Sequence, residues 1–172
     1  DNEGKLFAGR IEAKLGYGAV YRTYGSVESF TLGIGVDGWM NQELATSHRG
    51  FGADLMVRAS GLAVLVEARQ TMSEPTEDLV DVPGVFVETE RQGLMAQVGY
   101  TVGSIEPLVR YSIFDDDLGV EDTGDVSELM SGVTWHGESD LVRAGFGYAL
   151  RNESGPIKVS NDTVRAWLQL KI

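Results

Sequence analysis

The chain has 172 residues, of which 42% are hydrophobic and 23% charged, a composition typical of one folded domain spanning residues 1–172. The net charge is −12, so the chain has too few basic residues to form the positive face that neutralises phosphates. Nucleic acid is therefore excluded as a partner. The 22 glycines against 4 prolines favour strands with tight turns over long helices. No run of about eighteen apolar residues occurs, which excludes a transmembrane helix but not barrel strands of about 9–11 alternating residues.

Apolar and polar residues alternate in nine successive segments, which predicts nine β-strands with two unlike faces. In chain order the apolar rows are Phe7, Ile11, Ala13, Leu15; Phe30, Leu32, Ile34, Val36; Leu55, Val57, Ala59; Val64, Val66, Ala68; Leu94, Ala96, Val98, Tyr100, Val102; Val109, Tyr111, Ile113; Leu129, Val133, Trp135; Val142, Ala144, Phe146, Tyr148, Leu150; and Val164, Ala166, Leu168, Leu170, Ile172. Polar and small residues fill the positions between them. Residues 19–24 are a candidate for a short tenth strand.

The predicted connections alternate between short and long along the chain. The short ones are residues 60–61, 102–104 and 136–139, and the long polar ones are residues 40–49, 72–91, 114–126 and 151–162. Short turns on one rim and long loops on the other are typical of outer-membrane barrels, whereas the connections of a soluble sandwich are not sorted by length in this way. The sorting predicts an antiparallel up-and-down transmembrane β-barrel with its acidic loops outside the cell. The long link at residues 16–29 breaks the rule.

The same alternation also fits a soluble antiparallel barrel or sandwich, in which the apolar rows would face inward. Sorted loop lengths, Tyr and Trp within the apolar rows, and a final strand that reaches Ile172 favour the membrane interpretation. We therefore expect the apolar rows to face outer-membrane lipid and lipopolysaccharide. The polar rows then face a lumen.

Charged residues of the polar rows make up the predicted pore-lining set, which consists of Arg10, Glu12, Lys14, Asp54, Arg58, Glu67, Arg69, Glu106, Arg110, Arg143, Arg165 and Lys171. In a wide barrel they line an aqueous channel, where the excess of Arg and Lys favours anions. In a small barrel they pair across strands and fill a closed interior. The sequence thus predicts a porin-like channel for small hydrophilic solutes, and leaves open a structural barrel that anchors or scaffolds a larger assembly. A second copy or a scaffold protein is the partner expected besides lipid.

Catalysis receives little support from the sequence. His48 and His136 are the only histidines, and neither lies near a nucleophile motif, so we expect a loop histidine and a histidine at the rim of the lumen. The acidic segment 115–125 lacks the spacing of a calcium-binding loop and predicts a solvated loop. Neither an enzyme nor a cofactor site is expected.

Residues 93–100, Gly-Leu-Met-Ala-Gln-Val-Gly-Tyr, and residues 105–115, Ile-Glu-Pro-Leu-Val-Arg-Tyr-Ser-Ile-Phe-Asp, form a predicted hairpin that resembles the phosphate-selective porin O/P family. Residues 52–55 with Gly61 and Glu67 resemble that family's preceding hairpin. The segment 163–172 is similar to its last strand. The resemblance covers most of the chain through short motifs, and it implies a channel for phosphate or other anions, although no cluster of lysines is present.

The resemblance also implies a barrel of about sixteen strands, of which the nine predicted here are the C-terminal part. An odd strand count independently predicts that N-terminal strands are missing, since single-chain bacterial barrels have an even number. The alternative is a complete small barrel of eight or ten strands. Ile172 departs from the aromatic final residue that is usual in such barrels.

Overall fold

The computed structural model describes residues 4–16, 30–43, 46–75, 88–120, 124–137, 142–154 and 161–170. Within these ranges nine antiparallel strands form one sheet, and each strand pairs with its neighbours in sequence. The strands are β1 (Leu6–Gly16), β2 (Thr31–Gln42), β3 (Thr46–Ala59), β4 (Leu62–Pro75), β5 (Thr89–Tyr100), β6 (Ile105–Asp115), β7 (Val126–His136), β8 (Val142–Glu153) and β9 (Thr163–Leu170). The predicted all-β, up-and-down topology is confirmed for this part of the chain. The candidate strand at residues 19–24 lies outside it. In the described ranges no helix is long and apolar enough to cross a membrane.

The predicted long link at residues 40–49 is wrong, because β2 and β3 extend through most of it. Only residues 43–45 separate the two strands, and the ladder continues through the pair Met40 and Arg49. Polar side chains in this segment had favoured a loop. Backbone hydrogen bonds to the adjacent strand nevertheless satisfy its N–H and C=O groups, which side-chain polarity does not prevent.

His48, expected in a loop, consequently lies within β3. Its ring nitrogens lie 3.0 Å from Thr46 Oγ1 and 2.9 Å from Ser73 Oγ on β4. Two hydroxyl groups therefore bracket the imidazole, and no carboxylate is involved in these contacts. The arrangement ties the start of β3 to the end of β4 and contains no nucleophile–base–acid series.

The connections sort by length at the two ends of the sheet, with an exception at each end. Residues 60–61, 101–104 and 137–141 join strands at one end, which we call the short-turn end. Residues 76–88, 116–125 and 154–162 join strands at the other, the long-link end. The exceptions are residues 17–30 at the short-turn end and residues 43–45 at the long-link end. The predicted sorting therefore holds for the later strands and fails for the first connections.

The two faces of the sheet differ sharply in exposure. The apolar face, which carries Ile34, Val98, Val109, Val133 and Phe146, is open, and Ile11 on this face is 75% exposed. On the opposite, polar face Arg58 and Glu106 are each only 1% exposed. The described residues supply a single layer, so burial on one face requires the sheet to bend around that face. Polar-face burial weakens at the edges, where every residue of β1 is exposed.

The tightest turn joins β3 to β4 through Ser60 and Gly61. Both residues have positive φ, 48° and 87° respectively, which matches a two-residue type I′ hairpin. The Gly61 carbonyl accepts a hydrogen bond from the Thr101 N–H at 2.9 Å. A Cβ on Gly61 would lie 2.7 Å from the Thr101 carbonyl oxygen. Glycine is therefore required at position 61 for two reasons: the backbone has a positive φ, and there is no space for a Cβ.

Gly61→Ala is expected to lower the free energy of unfolding by about 1–2 kcal/mol or more, because alanine must adopt the left-handed conformation against the Thr101 carbonyl. Ser60→Asn is the control and should be neutral or stabilising, since asparagine tolerates positive φ in this turn type. Denaturant titration of the refolded chain, followed by circular dichroism, measures both. Equal costs for the two substitutions would contradict the turn assignment.

Candidate functional site

The polar face brings the predicted pore-lining residues together. The register places all of them that are described on this one face: Arg10, Glu12 and Lys14 on β1, Asp54 and Arg58 on β3, Glu67 and Arg69 on β4, Glu106 and Arg110 on β6, Arg143 on β8 and Arg165 on β9. Lys171 lies outside the described residues. That these side chains line a pore stays a prediction.

Arg10 is the centre of an ion-pair network on the first strands. Its guanidinium lies 2.7 Å from Asp54 Oδ1 on β3, 3.2 Å from Asp37 Oδ2 on β2 and 3.7 Å from Glu12 Oε2. Arg69 on β4 approaches the same Asp37 oxygen at 3.9 Å. The network thus links four neighbouring strands, and the Arg10 to Asp54 contact passes over the whole width of β2.

A glycine makes this long contact possible. A Cβ on Gly35 would lie 2.1 Å from Nη2 of Arg10 and 2.9 Å from Oδ1 of Asp54, so the guanidinium occupies the space that any other side chain would fill. The sequence alone does not single out Gly35 among the glycines of the strands. One signal could have revealed this contact: Gly35 lies on the strand next to Arg10, on the same face and diagonally opposite to it in the register.

The short-turn end of the polar face holds a buried acid–histidine pair. His136 Nε2 lies 2.8 Å from Glu106 Oε2, and both side chains are almost fully enclosed. His136 thus lies on the polar face at the end of β7, with its ring buried, and a lumen beside it stays a prediction. Gly99 again provides clearance, because a Cβ there would lie 2.9 Å from Glu106 Oε1. Arg58 and Thr31 are buried at the same end. Charged groups removed from water this far need partners within the sheet.

Farther along the polar face, two arginines are held by unlike partners. Arg110 donates from Nε and Nη2 to Oε1 of Gln97 at 2.9 and 2.6 Å. Arg165 donates to Glu128 Oε2 at 3.1 Å, from β9 to β7. Because glutamine is neutral, Arg110 keeps its full charge, whereas the charge of Arg165 is compensated by a carboxylate.

Two tryptophans lie on the polar face, where each indole covers a glycine of the adjacent strand. A Cβ on Gly50 would lie 2.6 Å from Nε1 of Trp39, and a Cβ on Gly145 would lie 2.3 Å from Nε1 of Trp167. One side of each ring therefore rests on backbone. The sequence analysis gave these two rings no role. The sequence pattern that could have revealed their packing is a glycine directly opposite each tryptophan on the adjacent strand.

The acidic segment after β6 lies at the long-link end. Burial raises the pKa of Asp115 above its ordinary value, and the charge of Asp125 raises it further. Asp115 also accepts a hydrogen bond from the backbone N–H of Asp117 at 3.1 Å. Among the described residues no three histidine or carboxylate side chains converge as a metal site.

The role of Gly35 is tested by a mutant cycle. Gly35→Ala should lower the free energy of unfolding by about 1 kcal/mol or more, because the new methyl group displaces the partly exposed Arg10 guanidinium from Asp54. The control is Gly9→Ala, where a Cβ meets nothing within 4 Å. In an Arg10→Ala background the cost of Gly35→Ala should shrink toward that of the control, as measured by denaturant titration. An unchanged cost would show that Gly35 has another role.

Comparison of the chain with protein-family models, with curated proteins and with solved structures finds no match. The resemblance to the porin O/P family accordingly stays an interpretation of the sequence motifs.

Proposed function

We propose that this chain forms part of an outer-membrane β-barrel whose polar face lines an aqueous interior through which small hydrophilic solutes diffuse. The observation that carries the proposal is the exposure of the apolar face against the burial of the charged one. A water-soluble sheet buries its apolar face and leaves charges in solvent. The reverse arrangement is favourable where the outer solvent is hydrocarbon and the inner one water.

The scale of the apolar face supports the same proposal. Large side chains such as Ile11, Leu168 and Val164 are more than 60% exposed. Removing one such side chain from water contributes about 1.5–3 kcal/mol, and continuous apolar patches of this extent are rare on soluble monomers. Lipid covers the whole face at once, which a single protein partner would do only in part.

The dimensions fit a bilayer. On β8 the apolar row from Val142 to Leu150 extends about 27 Å along the strand at ~3.4 Å per residue. A strand tilt of about 40° reduces this to roughly 20 Å, close to the ~25 Å apolar band of known barrels. Tyr100 and Trp135 lie near the short-turn end of the apolar face, and Tyr111 and Tyr148 lie toward the middle of β6 and β8. Amphipathic rings at the end of an apolar band are typical of an interfacial girdle.

The direction of the edge strands supports a larger barrel. In the described sheet β1 and β9 each have one hydrogen-bonded neighbour, and both run from the long-link end to the short-turn end. Direct pairing of β1 with β9 would therefore be parallel. An odd number of additional strands keeps every pair antiparallel and leaves no open edge in the hydrocarbon. The larger barrel expected from the sequence has such an arrangement.

Charge on the polar face favours anions in the proposed channel. Arg110 is held by neutral Gln97, and its guanidinium forms no ion pair with an acid of the described residues. Fixed positive charge on a water-filled wall attracts anions and repels cations.

A structural barrel without a conducting path is the second candidate. The specific observation in its favour is the filling of the polar face at the short-turn end, where Arg58, Glu106, Thr31 and Thr134 are each no more than 1% exposed. Charges that pair across strands leave less room for solute. This candidate retains the lipid-facing surface and differs only in what the interior does.

Membrane insertion is tested at the centre of the apolar face. Val109→Arg should destabilise the chain in lipid by about 2–4 kcal/mol, as a charge does at the bilayer midplane. Ser112→Arg on the same strand is the matched control, because it adds the charge to the polar face beside Glu128. Folding into phospholipid vesicles, followed by protease protection, measures both. If Val109→Arg folds into vesicles as well as the control does, the lipid-facing assignment is wrong.

Conduction separates the two candidates. The complete barrel that includes this chain, reconstituted in a planar bilayer, should give stable current steps that favour anions, and Arg110→Gln should lower the anion preference because it removes an uncompensated charge from the wall. Arg49→Gln is the control, since Arg49 pairs with Glu74 on the opposite face. A correctly inserted and closed barrel that is electrically silent would exclude the channel and leave the structural barrel.

A further inference from the structure

Trp39 on β2 lies near the long-link end of the polar face. Its indole rests on the backbone of Gly50 on β3, where a Cβ would lie 2.6 Å from Nε1 and 2.8 Å from Cε2. Trp39 is nevertheless partly exposed, so some of the ring surface is open to the interior. Among the described residues the indole makes no hydrogen bond and no contact with another ring. The ring is therefore a supported apolar surface that is still available to a ligand.

Asp37 lies beside this ring and provides an acceptor. It precedes Trp39 on the same strand and face, about 7 Å away at ~3.4 Å per residue. Its carboxylate lies over Gly52 of β3, where a Cβ would meet Oδ2 at 3.0 Å. Oδ2 contacts Arg10 at 3.2 Å and Arg69 at 3.9 Å, and the described residues leave Oδ1 available. An indole and a carboxylate thus lie next to each other, and each covers a glycine of the adjacent strand.

Arg69 on β4 places donors next to that acceptor. It pairs with Gly52 in the register, and its side chain is 65% exposed. Because its described contact with Asp37 is as long as 3.9 Å, the guanidinium keeps most of its N–H donors for a ligand. One carboxylate and one guanidinium also balance in charge. An ion therefore gains little at this point, whereas a neutral solute meets both a donor and an acceptor.

A sugar ring matches this combination of groups. A pyranose with equatorial hydroxyl groups presents C–H groups on its faces and hydroxyl groups around its edge. The C–H face can pack on the indole of Trp39, and a hydroxyl group can donate to Asp37 while another accepts from Arg69. A flat aromatic solute would use the ring without the donor and the acceptor. An inorganic anion would be repelled by Asp37 and would make no use of the ring.

We propose that Trp39, Asp37 and Arg69 form a binding site for neutral sugars, in which a pyranose ring packs on Trp39 and its hydroxyl groups hydrogen-bond to Asp37 and Arg69. The proposal rests on the proposed function in that the polar face must be reached from water. It names neutral sugars as one class of hydrophilic solute that the interior holds during passage. A few polar groups beside an apolar surface fix the orientation of such a ligand.

Methyl β-glucopyranoside is the probe, because all of its ring substituents are equatorial. It is added to the complete barrel that includes this chain, in detergent micelles, and followed by ligand-detected NMR titration. A ligand of this size should bind with a dissociation constant on the order of 1 mM. Trp39→Leu should weaken binding about tenfold, because the flat surface for the sugar ring is lost.

Trp167→Leu is the matched control, since it removes the other indole that rests on a glycine of the polar face. It lies on β9, far from β2 in the sheet, and should change binding less than about twofold. If Trp39→Leu does not fold, Arg69→Leu replaces it, because the Arg69 side chain is well exposed. This substitution should weaken binding about fivefold, and unchanged binding would contradict the site.

The remaining outcomes either support the site or overturn it. Saturable binding of the glucoside that Trp39→Leu weakens and Trp167→Leu leaves unchanged supports it. Absence of saturable binding, equal effects of the two tryptophan substitutions, or an equal response to glycerol, which carries hydroxyl groups without a ring, overturns it. A barrel that conducts but does not bind the glucoside refutes the sugar site alone. One that binds the glucoside but is electrically silent refutes the channel alone.

Discussion

Alternation along a strand is the constraint on which this sheet depends. Successive residues point to opposite faces, so a strand that exposes valine and isoleucine on one side must turn the residues between them to the other. In this sheet the intervening residues are charged, and the sheet bends around them. Exposure on the apolar face and burial on the polar face are therefore two results of one pattern, and neither can change without the other.

Enclosing charged side chains creates a second requirement, which the glycines meet. Arginine and glutamate are long, and on a concave face their ends converge. Gly35 under Arg10, Gly99 under Glu106 and Gly145 under Trp167 each provide the space for a neighbouring side chain to lie flat on backbone. The high glycine content of the chain thus reflects the packing of long polar side chains as well as turns and curvature.

The strands and their up-and-down order could be predicted from the sequence because their signal is local. Alternation such as that from Val142 to Leu150 predicts both a strand and the residues on each of its faces. The turn at Ser60 and Gly61 is recognisable from its pair of small residues. The link at residues 40–49 was misjudged because polarity does not distinguish a loop from the end of a strand beyond the apolar band. The contacts of the site were not predictable in the same way. The contacts of Arg10 with Asp54 and of Glu106 with His136 depend on the register between strands and on the bending of the sheet. The sequence of a single strand encodes neither.

The contact between Arg10 and Asp54 has a further consequence for the shape of the sheet. It joins β1 to β3 across β2, two strands that a flat sheet would hold about 9.6 Å apart, and so acts as a chord across an arc. A chord of fixed length sets the radius of the arc that it spans. The lengths of the side chains in such pairs, rather than strand count alone, then determine how tightly this part of the sheet is curved.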